Sequence, residues 1–238
     1  MNLRKLVFVV AFIFVTMVPF PVQATPVPSG SVVTGSGGDS GLSGEYYRAA
    51  PNTIDNIAEA RTFIDSTTPL GTFTTSAVNY GPDNDHDTIV DFLNADGGTF
   101  AGSNQNMSDA VLLMTGFIEV TAPGSIQYWL GSDDGASLTI GGVTIINNDG
   151  LHSFPGSNPF GTADFSLAGF YAVEIIYFNK EYNGGIGDAE LEWRLGNKYG
   201  RLVSNLYKNV DSVPEPGTLV LLGSGLIGLV GFRRKFKK

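Results

Sequence analysis

Residues 131–142 read GSDDGASLTIGG, and this stretch contains the clearest fold pattern of the chain. Leu138 and Ile140 alternate with polar residues, and Gly141-Gly142 follows at once. Apolar–polar alternation bounded by Asp-Gly and Gly-Gly dipeptides is typical of a short β-strand between tight turns. The stretch therefore predicts a strand that begins directly after a turn bearing Asp133 and Asp134.

Strand patterns continue on both sides of this stretch. Residues 126–130 and 189–195 alternate along their length, whereas residues 171–178 form an almost continuous apolar run that is typical of a strand buried on both faces. Glycine-containing turn dipeptides recur between such segments, and only residues 56–64 have a helical pattern. The sequence predicts an all-β fold, an antiparallel β-sandwich of the jelly-roll type.

The composition excludes several classes of function. The chain of 238 residues has no cysteine, so disulfides, thiolate metal sites and thiol nucleophiles are excluded. The net charge is −9, and residues 25–213 hold 7 basic and 22 acidic residues, which leaves this part at −15. A domain with that charge repels a phosphate backbone, so nucleic-acid binding is not expected.

The adjacent carboxylates Asp133 and Asp134 are the most informative side chains. Their mutual repulsion is unfavourable unless a positive group joins them. Oxygen ligands on a turn suit Ca²⁺, which takes about 6–8 oxygens at about 2.3–2.6 Å. The alternative is a plain hairpin turn, in which Asp-Gly serves only the backbone geometry. The residues themselves leave both interpretations open.

The first 24 residues have the layout of a secretory signal peptide. A short basic start precedes the apolar residues 6–20, and Val22-Gln23-Ala24 places small residues where a signal peptidase cleaves. The apolar run is shorter than the roughly 20 residues that a membrane-spanning helix needs, which disfavours an N-terminal anchor. Residues 25–40 are rich in Pro, Gly, Ser and Thr and are predicted to be a linker.

Residues 213–238 contain a second targeting pattern. The sequence VPEP at residues 213–216 precedes an apolar run at residues 218–232, predicted to be a single hydrophobic helix, and a basic cluster at residues 233–238. This order closely resembles the PEP-CTERM sorting signal of Gram-negative bacteria. The resemblance implies a transient inner-membrane anchor, processing by an exosortase near residues 214–216, and deposition at the cell surface or in an exopolysaccharide matrix.

Six short segments of the middle region follow one another in a recognisable order. They are GLSGEYY at 41–47, TGFI at 115–118, SDDG at 132–135, NDGLH at 148–152, LAGFY at 167–171 and AELEW at 189–193. This set is similar to the protective-antigen-type domain found in anthrax toxin, yeast flocculins and bacterial adhesins, and it places that domain at residues 41–212. The resemblance implies a β-sandwich. It also implies one Ca²⁺ held by paired aspartates, often across a cis peptide bond.

The resemblance further implies which residues form the site. The calcium ligands would be Asp133, Asp134, Asn183 and Asp188. Asn183 and Asp188 belong to the glycine-rich loop of residues 179–188, which corresponds to the family's second calcium loop. The ion would hold two sugar hydroxyls, so Asp133 and Asp134 would also contact the ligand. Tyr182 or Trp129 would stack on the sugar; the alternative for Trp129 is core packing.

These expectations give three hypotheses about function. The first is an exported, calcium-dependent carbohydrate-binding protein of adhesin type, which is not an enzyme and binds matrix polysaccharide. The second is a structural or protein-interaction module of the matrix that binds no sugar. The third is a glycoside hydrolase with Glu190 and Glu192, on one face of a predicted strand, as its carboxylate pair. Glutamates at such positions are otherwise solvated surface residues.

Overall fold

The computed structural model describes residues 23–81, 88–180 and 189–211. The strands in these ranges are β1 (Thr25–Val27), β2 (Val32–Val33), β3 (Ser36–Gly37), β4 (Leu42–Arg48), β5 (Gly71–Thr75), β6 (Asn79–Tyr80), β7 (Ala101–Gly102), β8 (Ala110–Val120), β9 (Gly124–Asp133), β10 (Ala136–Ile140), β11 (Val143–Asn148), β12 (Phe160–Phe165), β13 (Gly169–Asn179), β14 (Glu190–Leu195), β15 (Leu206–Tyr207) and β16 (Val210–Asp211). The helices are α1 (Ile57–Ser66) and α2 (Ile89–Phe92), with 3₁₀ turns at Ser29–Ser31 and Asn94–Thr99.

The strands form two large sheets and one short ribbon. Sheet A has the order β1-β12-β9-β14-β6, and sheet B has the order β11-β10-β13-β8-β4-β5-β7, with β2 joined to β13 and β15 joined to β8. The ribbon consists of β3 and β16. The pairing of β1 with β12 is parallel, and the other pairings within the sheets are antiparallel. The predicted all-β antiparallel sandwich is therefore confirmed.

The main apolar core contains alternate residues from both sheets. Sheet A contributes Tyr128 and Trp193, and sheet B contributes Leu112 and Tyr177, all of which are fully buried. Because successive side chains of a strand point to opposite faces, this alternation is what the sequence patterns of β9 and β14 predict.

A second, smaller core lies between sheet B and α1. Ile176 and Phe178 of β13 are buried there against Ala60 and Ile64 of the helix. Helix α1 begins after Asn56, whose side chain accepts a hydrogen bond from the backbone N–H of Glu59, as an N-cap residue does. β13 is thus buried on both faces near its C-terminal end, which explains its continuous apolar sequence. The prediction of this strand and the helical pattern of residues 56–64 are both confirmed.

The prediction that residues 25–40 form a linker is wrong. β1 pairs with β12, and the side chain of Val27 is only 3% exposed within the main core. β2 then pairs with Phe170 and Tyr171 of β13. Such short strands need only one or two buried valines between turn-forming residues, so their composition cannot be distinguished from that of a linker. The domain therefore includes residues from Thr25 onward, and not only those from residue 41.

A pair of matched substitutions tests this correction. Val27→Ser places an unpartnered hydroxyl in the core, and we expect it to lower the free energy of unfolding by about 2–3 kcal/mol. Val33→Ser makes the same change at a side chain that is 38% exposed, and we expect an effect within about 0.5 kcal/mol. Urea denaturation of both variants measures the difference. Equal, small effects would restore the linker interpretation.

The predicted targeting segments are mostly beyond these ranges. Residues 1–22 and 212–238, which contain most of the signal peptide and nearly all of the sorting signal, lie outside the described residues. Within residues 23–81, 88–180 and 189–211, no helix is long and apolar enough to cross a membrane.

Candidate functional site

The Asp133–Asp134 turn joins the end of β9 to the start of β10. The peptide bond between the two aspartates is cis, as the resemblance implied. The backbone carbonyl of Asp133 accepts a hydrogen bond from the Tyr177 hydroxyl on β13. A Cβ at Gly135 would lie 2.4 Å from the Phe178 ring and 3.1 Å from the Gly150 carbonyl oxygen, so this position has room only for glycine. The turn is therefore enclosed by β13 and by the segment that follows β11.

The carboxylate of Asp134 connects these two neighbouring segments. Its Oδ1 accepts a hydrogen bond from the backbone N–H of His152 at 3.0 Å, and its Oδ2 accepts one from the backbone N–H of Lys180 at 2.8 Å. The residue is 8% exposed. Burial raises the pKa of Asp134 above its usual value, although the two N–H donors and the charges of His152 and Lys180 oppose that shift. The side chain is thus held in one orientation by the backbone around it.

The carboxylate oxygens of these two aspartates are chemically suitable ligands for a calcium ion. A carboxylate has about four acceptor positions, and the two N–H groups leave Asp134 with acceptor capacity for a cation. A nearby positive charge would also favour the charged form of Asp134 against the effect of burial. Carboxylate oxygens are the hard ligands that Ca²⁺ prefers.

The two aspartates alone do not make a complete calcium site. Within residues 23–81, 88–180 and 189–211, no group of three or more acidic or histidine side chains is arranged to hold a metal ion. The other predicted ligands, Asn183 and Asp188, and the predicted stacking residue Tyr182, lie outside the described residues. The structure therefore brings together Asp133 and Asp134 and leaves the other assignments as predictions.

Helix α1 is hydrogen-bonded to residues 149–152, the segment whose His152 N–H binds the Asp134 carboxylate. The Oδ1 atom of Asp149 accepts hydrogen bonds from the backbone N–H groups of Ile57 and Gly150, both at 2.7 Å. Lys180 forms an ion pair with Asp55, just before the helix. The sequence places Asp149 in the NDGLH segment at residues 148–152 but gives no indication of its contact with α1. No local sequence pattern could indicate this contact, because the partner of Asp149, Ile57, lies 92 residues earlier in the chain.

Trp129 is a packing residue, so the prediction that it stacks on a sugar is wrong. Its side chain is 1% exposed, and its ring meets Phe154 edge-on at 5.6 Å between centroids. Trp129 lies on the outward phase of β9, but the segment before β12 covers it. The packing alternative from the sequence is the one observed.

The two glutamates of the hydrolase hypothesis occupy different environments. Glu192 is 8% exposed and forms two hydrogen bonds with Arg194, at 2.8 and 2.9 Å. Glu190 is half-buried and lies opposite Asp133 in the pairing of β14 with β9. Because its carboxylate is engaged by a guanidinium, Glu192 is poorly placed to act as a catalytic acid or base.

The fold is shared with solved structures of PA14 domains. The PA14 domain of the antifreeze protein MpAFP is 21% identical, with a TM-score of 0.61, and the match covers 75% of this chain and 95% of that one. The PA14 sugar-binding domain from an RTX adhesin is 26% identical, with a TM-score of 0.57, covering 72% of this chain and 99% of that one. The chain has a PA14-type fold.

A more distant match has the same architecture. The A domain of epithelial adhesin 6 from Candida glabrata, solved in complex with Galb1-3GlcNAc, is 16% identical, with a TM-score of 0.52, and the match covers 79% of this chain and 93% of that one. At this identity the match concerns the fold alone.

The C-terminal segment matches a sequence family. Residues 212–235 match the PEP-CTERM protein-sorting motif, which confirms the predicted sorting signal. No curated protein matches the chain.

Proposed function

We propose that this protein is an exported, calcium-dependent carbohydrate-binding domain of adhesin type. The observation that carries the proposal is the Asp133–Asp134 turn, in which both oxygens of the Asp134 carboxylate accept backbone N–H groups from two different segments. Because the Asp134 carboxylate is already held in one orientation, little conformational entropy is lost when an ion binds to it. The PA14-type fold of a sugar-binding RTX adhesin domain, at 26% identity, supports the carbohydrate class.

Each residue has a specific part in this proposal. His152 and Lys180 orient the Asp134 carboxylate through their backbone N–H groups, and Asp133 places a second carboxylate beside it. Asn183 and Asp188 would complete the ligand set. Calcium would supply coordination positions for two sugar hydroxyls. Tyr182 is the remaining aromatic candidate for stacking on the sugar.

The PEP-CTERM motif supports an exported location. We place a signal peptide at residues 1–24, the binding domain at residues 25–211 and the sorting signal from residue 212 to the end. An exosortase-type enzyme would process that signal after a transient stay in the inner membrane. The protein would then remain at the cell surface or in the extracellular matrix, where polysaccharide is the available partner. We propose no glycoside hydrolase activity for the pair Glu190 and Glu192, since Glu192 is engaged by Arg194.

The test is binding to an array of immobilised glycans in millimolar Ca²⁺ and, in parallel, in EDTA. We expect retention on a subset of glycans in calcium and its loss in EDTA, with calorimetry showing Ca²⁺ binding to the protein alone. Binding that survives chelation would overturn the metal-dependent mechanism. Ca²⁺ binding without any glycan retention would favour the structural or protein-interaction module.

A further inference from the structure

The candidate calcium site lies at one end of β13. This strand runs from Gly169 to Asn179, and the backbone N–H of Lys180, the next residue, binds the Asp134 carboxylate. The 11 residues of β13 span about 35 Å. The Gly169 end of the strand is therefore far from the candidate calcium site.

The described chain ends at the Gly169 end of β13. The carbonyl oxygen of Asp211, the last described residue, would lie 2.4 Å from a Cβ at Gly35. Gly35 lines a groove together with Thr121 and Gly169, and Thr121 lines a second groove together with Arg201. These shared linings place Asp211 and Arg201 at the same end of the sandwich. We define this exit end as residues 33–35, 121–123, 166–169, 196–201 and 211.

A short segment separates the exit end from the apolar run of the sorting signal. Residues 212–217 read SVPEPG, and the apolar run begins at residue 218, within the PEP-CTERM match. A fully extended chain advances at most about 3.6 Å per residue, which gives about 25 Å from Asp211 to the apolar run. While that run is held in the membrane, the exit end therefore stays within about 25 Å of the bilayer.

Exposed apolar side chains are found at the exit end. Of the six large apolar side chains that are exposed among the described residues, three lie here: Val33, Leu167 and Tyr199. Tyr199 is 85% exposed, the highest value of the six. Tyrosine is enriched at the headgroup level of membranes, because its ring is apolar and its hydroxyl is polar. The end of the domain nearest to the bilayer thus carries side chains that suit a membrane interface.

The residues around Tyr199 also differ in charge from the rest of the domain. Residues 195–208 contain Lys198, Arg201 and Lys208 and no acidic residue, whereas residues 25–213 hold 22 acidic and 7 basic residues. Lys198 and Arg201 are exposed, and the Nζ atom of Lys198 lies 5.0 Å from the centroid of the Tyr199 ring. Basic side chains next to a membrane are attracted to anionic headgroups.

Acidic side chains are present near this end as well. Glu119 accepts a hydrogen bond from the Tyr207 hydroxyl at 3.2 Å, and Asp164 accepts one from the Ser125 hydroxyl at 2.9 Å. With these carboxylates and Asp211 the exit end is close to neutral, in a domain whose residues 25–213 carry −15. An anionic bilayer therefore repels the exit end less than the end that bears the aspartate pair.

We propose that the exit end is a surface that contacts a phospholipid bilayer. Tyr199 and Leu167 lie at the level of the headgroups, and Lys198 and Arg201 face the lipid phosphates. The candidate calcium site then points away from the membrane, towards the surrounding polysaccharide. This inference rests on the membrane stage of the proposed function and is independent of glycan binding.

A pair of matched labels tests this orientation. Because the chain has no cysteine, one introduced cysteine carries a fluorophore at a single position. Leu167→Cys labels the exit end, and Leu151→Cys labels the segment beside Asp134; the two leucines are 46% and 49% exposed. The full chain is produced with its own signal peptide in a host without exosortase. It is then reconstituted into vesicles of equal parts phosphatidylethanolamine and phosphatidylglycerol that contain lipids with nitroxide headgroups. We expect the label at Leu167 to lose most of its fluorescence and the label at Leu151 to keep it.

Further substitutions in the labelled proteins assign the contact. Tyr199→Ser should lower the quenching at Leu167 and raise it at Leu151, because a domain held by its tether alone can present either end to the bilayer. Phe160→Ser is the matched control, since Phe160 is an aromatic residue that is 48% exposed and lies outside the exit end. We expect it to change neither label. Lys198→Gln combined with Arg201→Gln should reduce the difference between the labels in these vesicles but not in vesicles of phosphatidylcholine alone.

The outcomes separate this inference from the carbohydrate proposal. Equal quenching of the two labels, or stronger quenching at Leu151, would overturn the inference, as would a pattern that Tyr199→Ser leaves unchanged. If flotation shows that the vesicles do not retain the chain, the membrane stage is wrong and the inference fails with it. Glycan retention by the vesicle-bound protein is measured in parallel in Ca²⁺. Selective quenching at Leu167 without glycan retention would support the orientation and contradict the carbohydrate proposal.

Discussion

Asp134→Asn should lower the affinity of the protein for Ca²⁺ by about 100-fold, which corresponds to about 2.7 kcal/mol. The substitution removes the negative charge at the buried end of the pair. It also replaces one of the two acceptor oxygens with an NH₂ group, which would face the backbone N–H of either His152 or Lys180. Separately, the backbone N–H that is left without an acceptor should lower the free energy of unfolding by about 1–3 kcal/mol. Calorimetry with Ca²⁺ and urea denaturation measure the two effects separately.

Asp133→Asn and Asp65→Asn are the companion variants. Asp133→Asn removes the other carboxylate while leaving the N–H bonds of Asp134 in place, so we expect calcium affinity to fall without a comparable loss of stability. Asp65 is an aspartate of α1 whose side chain is 63% exposed, and its substitution should change neither quantity. If Asp134→Asn remains folded and binds Ca²⁺ with unchanged affinity, the aspartate pair is a turn element and not a metal site. Glycan retention should fall in parallel with calcium affinity in both site variants.

The strands with strong periodicity could be predicted because one local pattern determines each of them. β14 alternates cleanly, and Leu191 and Trp193 are buried as that alternation requires. β13 is continuous because α1 covers its outer face. β1 and β2 could not be predicted, since two- or three-residue strands contain too few side chains to show a period. Their pairing depends on the edge that β12 and β13 offer, which is a property of the assembled sheets.

Only part of the candidate site could be predicted from the sequence, for a similar reason. Adjacent carboxylates at a turn are a local signal, so Asp133 and Asp134 stood out. The groups that orient Asp134 are backbone N–H groups, and any residue type can provide them, so the identities of His152 and Lys180 gave no indication. The bond between Asp149 and the start of α1 spans 92 positions of the chain. Such contacts follow from the packing of segments and not from any pattern within one of them.

Trp129 shows that an alternating sequence pattern does not determine whether an outward-pointing side chain is exposed, because another segment can cover that face of the sheet. It shares its strand phase with Gln127, which is exposed, so alternation alone places both side chains on the outer face of sheet A. The segment before β12 then covers the indole: the Phe154 ring packs edge-on against it, with 5.6 Å between the ring centroids. A Cβ at Gly131 would lie 2.4 Å from the indole ring, which shows how closely the ring lies against its own strand.

Trp129→Ala should therefore lower the free energy of unfolding by about 3–5 kcal/mol, because it removes a buried aromatic side chain and leaves a cavity. Tyr199→Ala truncates an aromatic side chain that is 85% exposed, and we expect a change within about 0.5 kcal/mol. Urea denaturation gives both values.

The milder variant Trp129→Phe keeps the protein folded for glycan-binding measurements, and its affinity per folded molecule should equal that of the unmodified protein. A Trp129→Phe protein of unchanged stability that had lost glycan binding would show instead that the indole contacts the sugar, which its burial beneath Phe154 argues against.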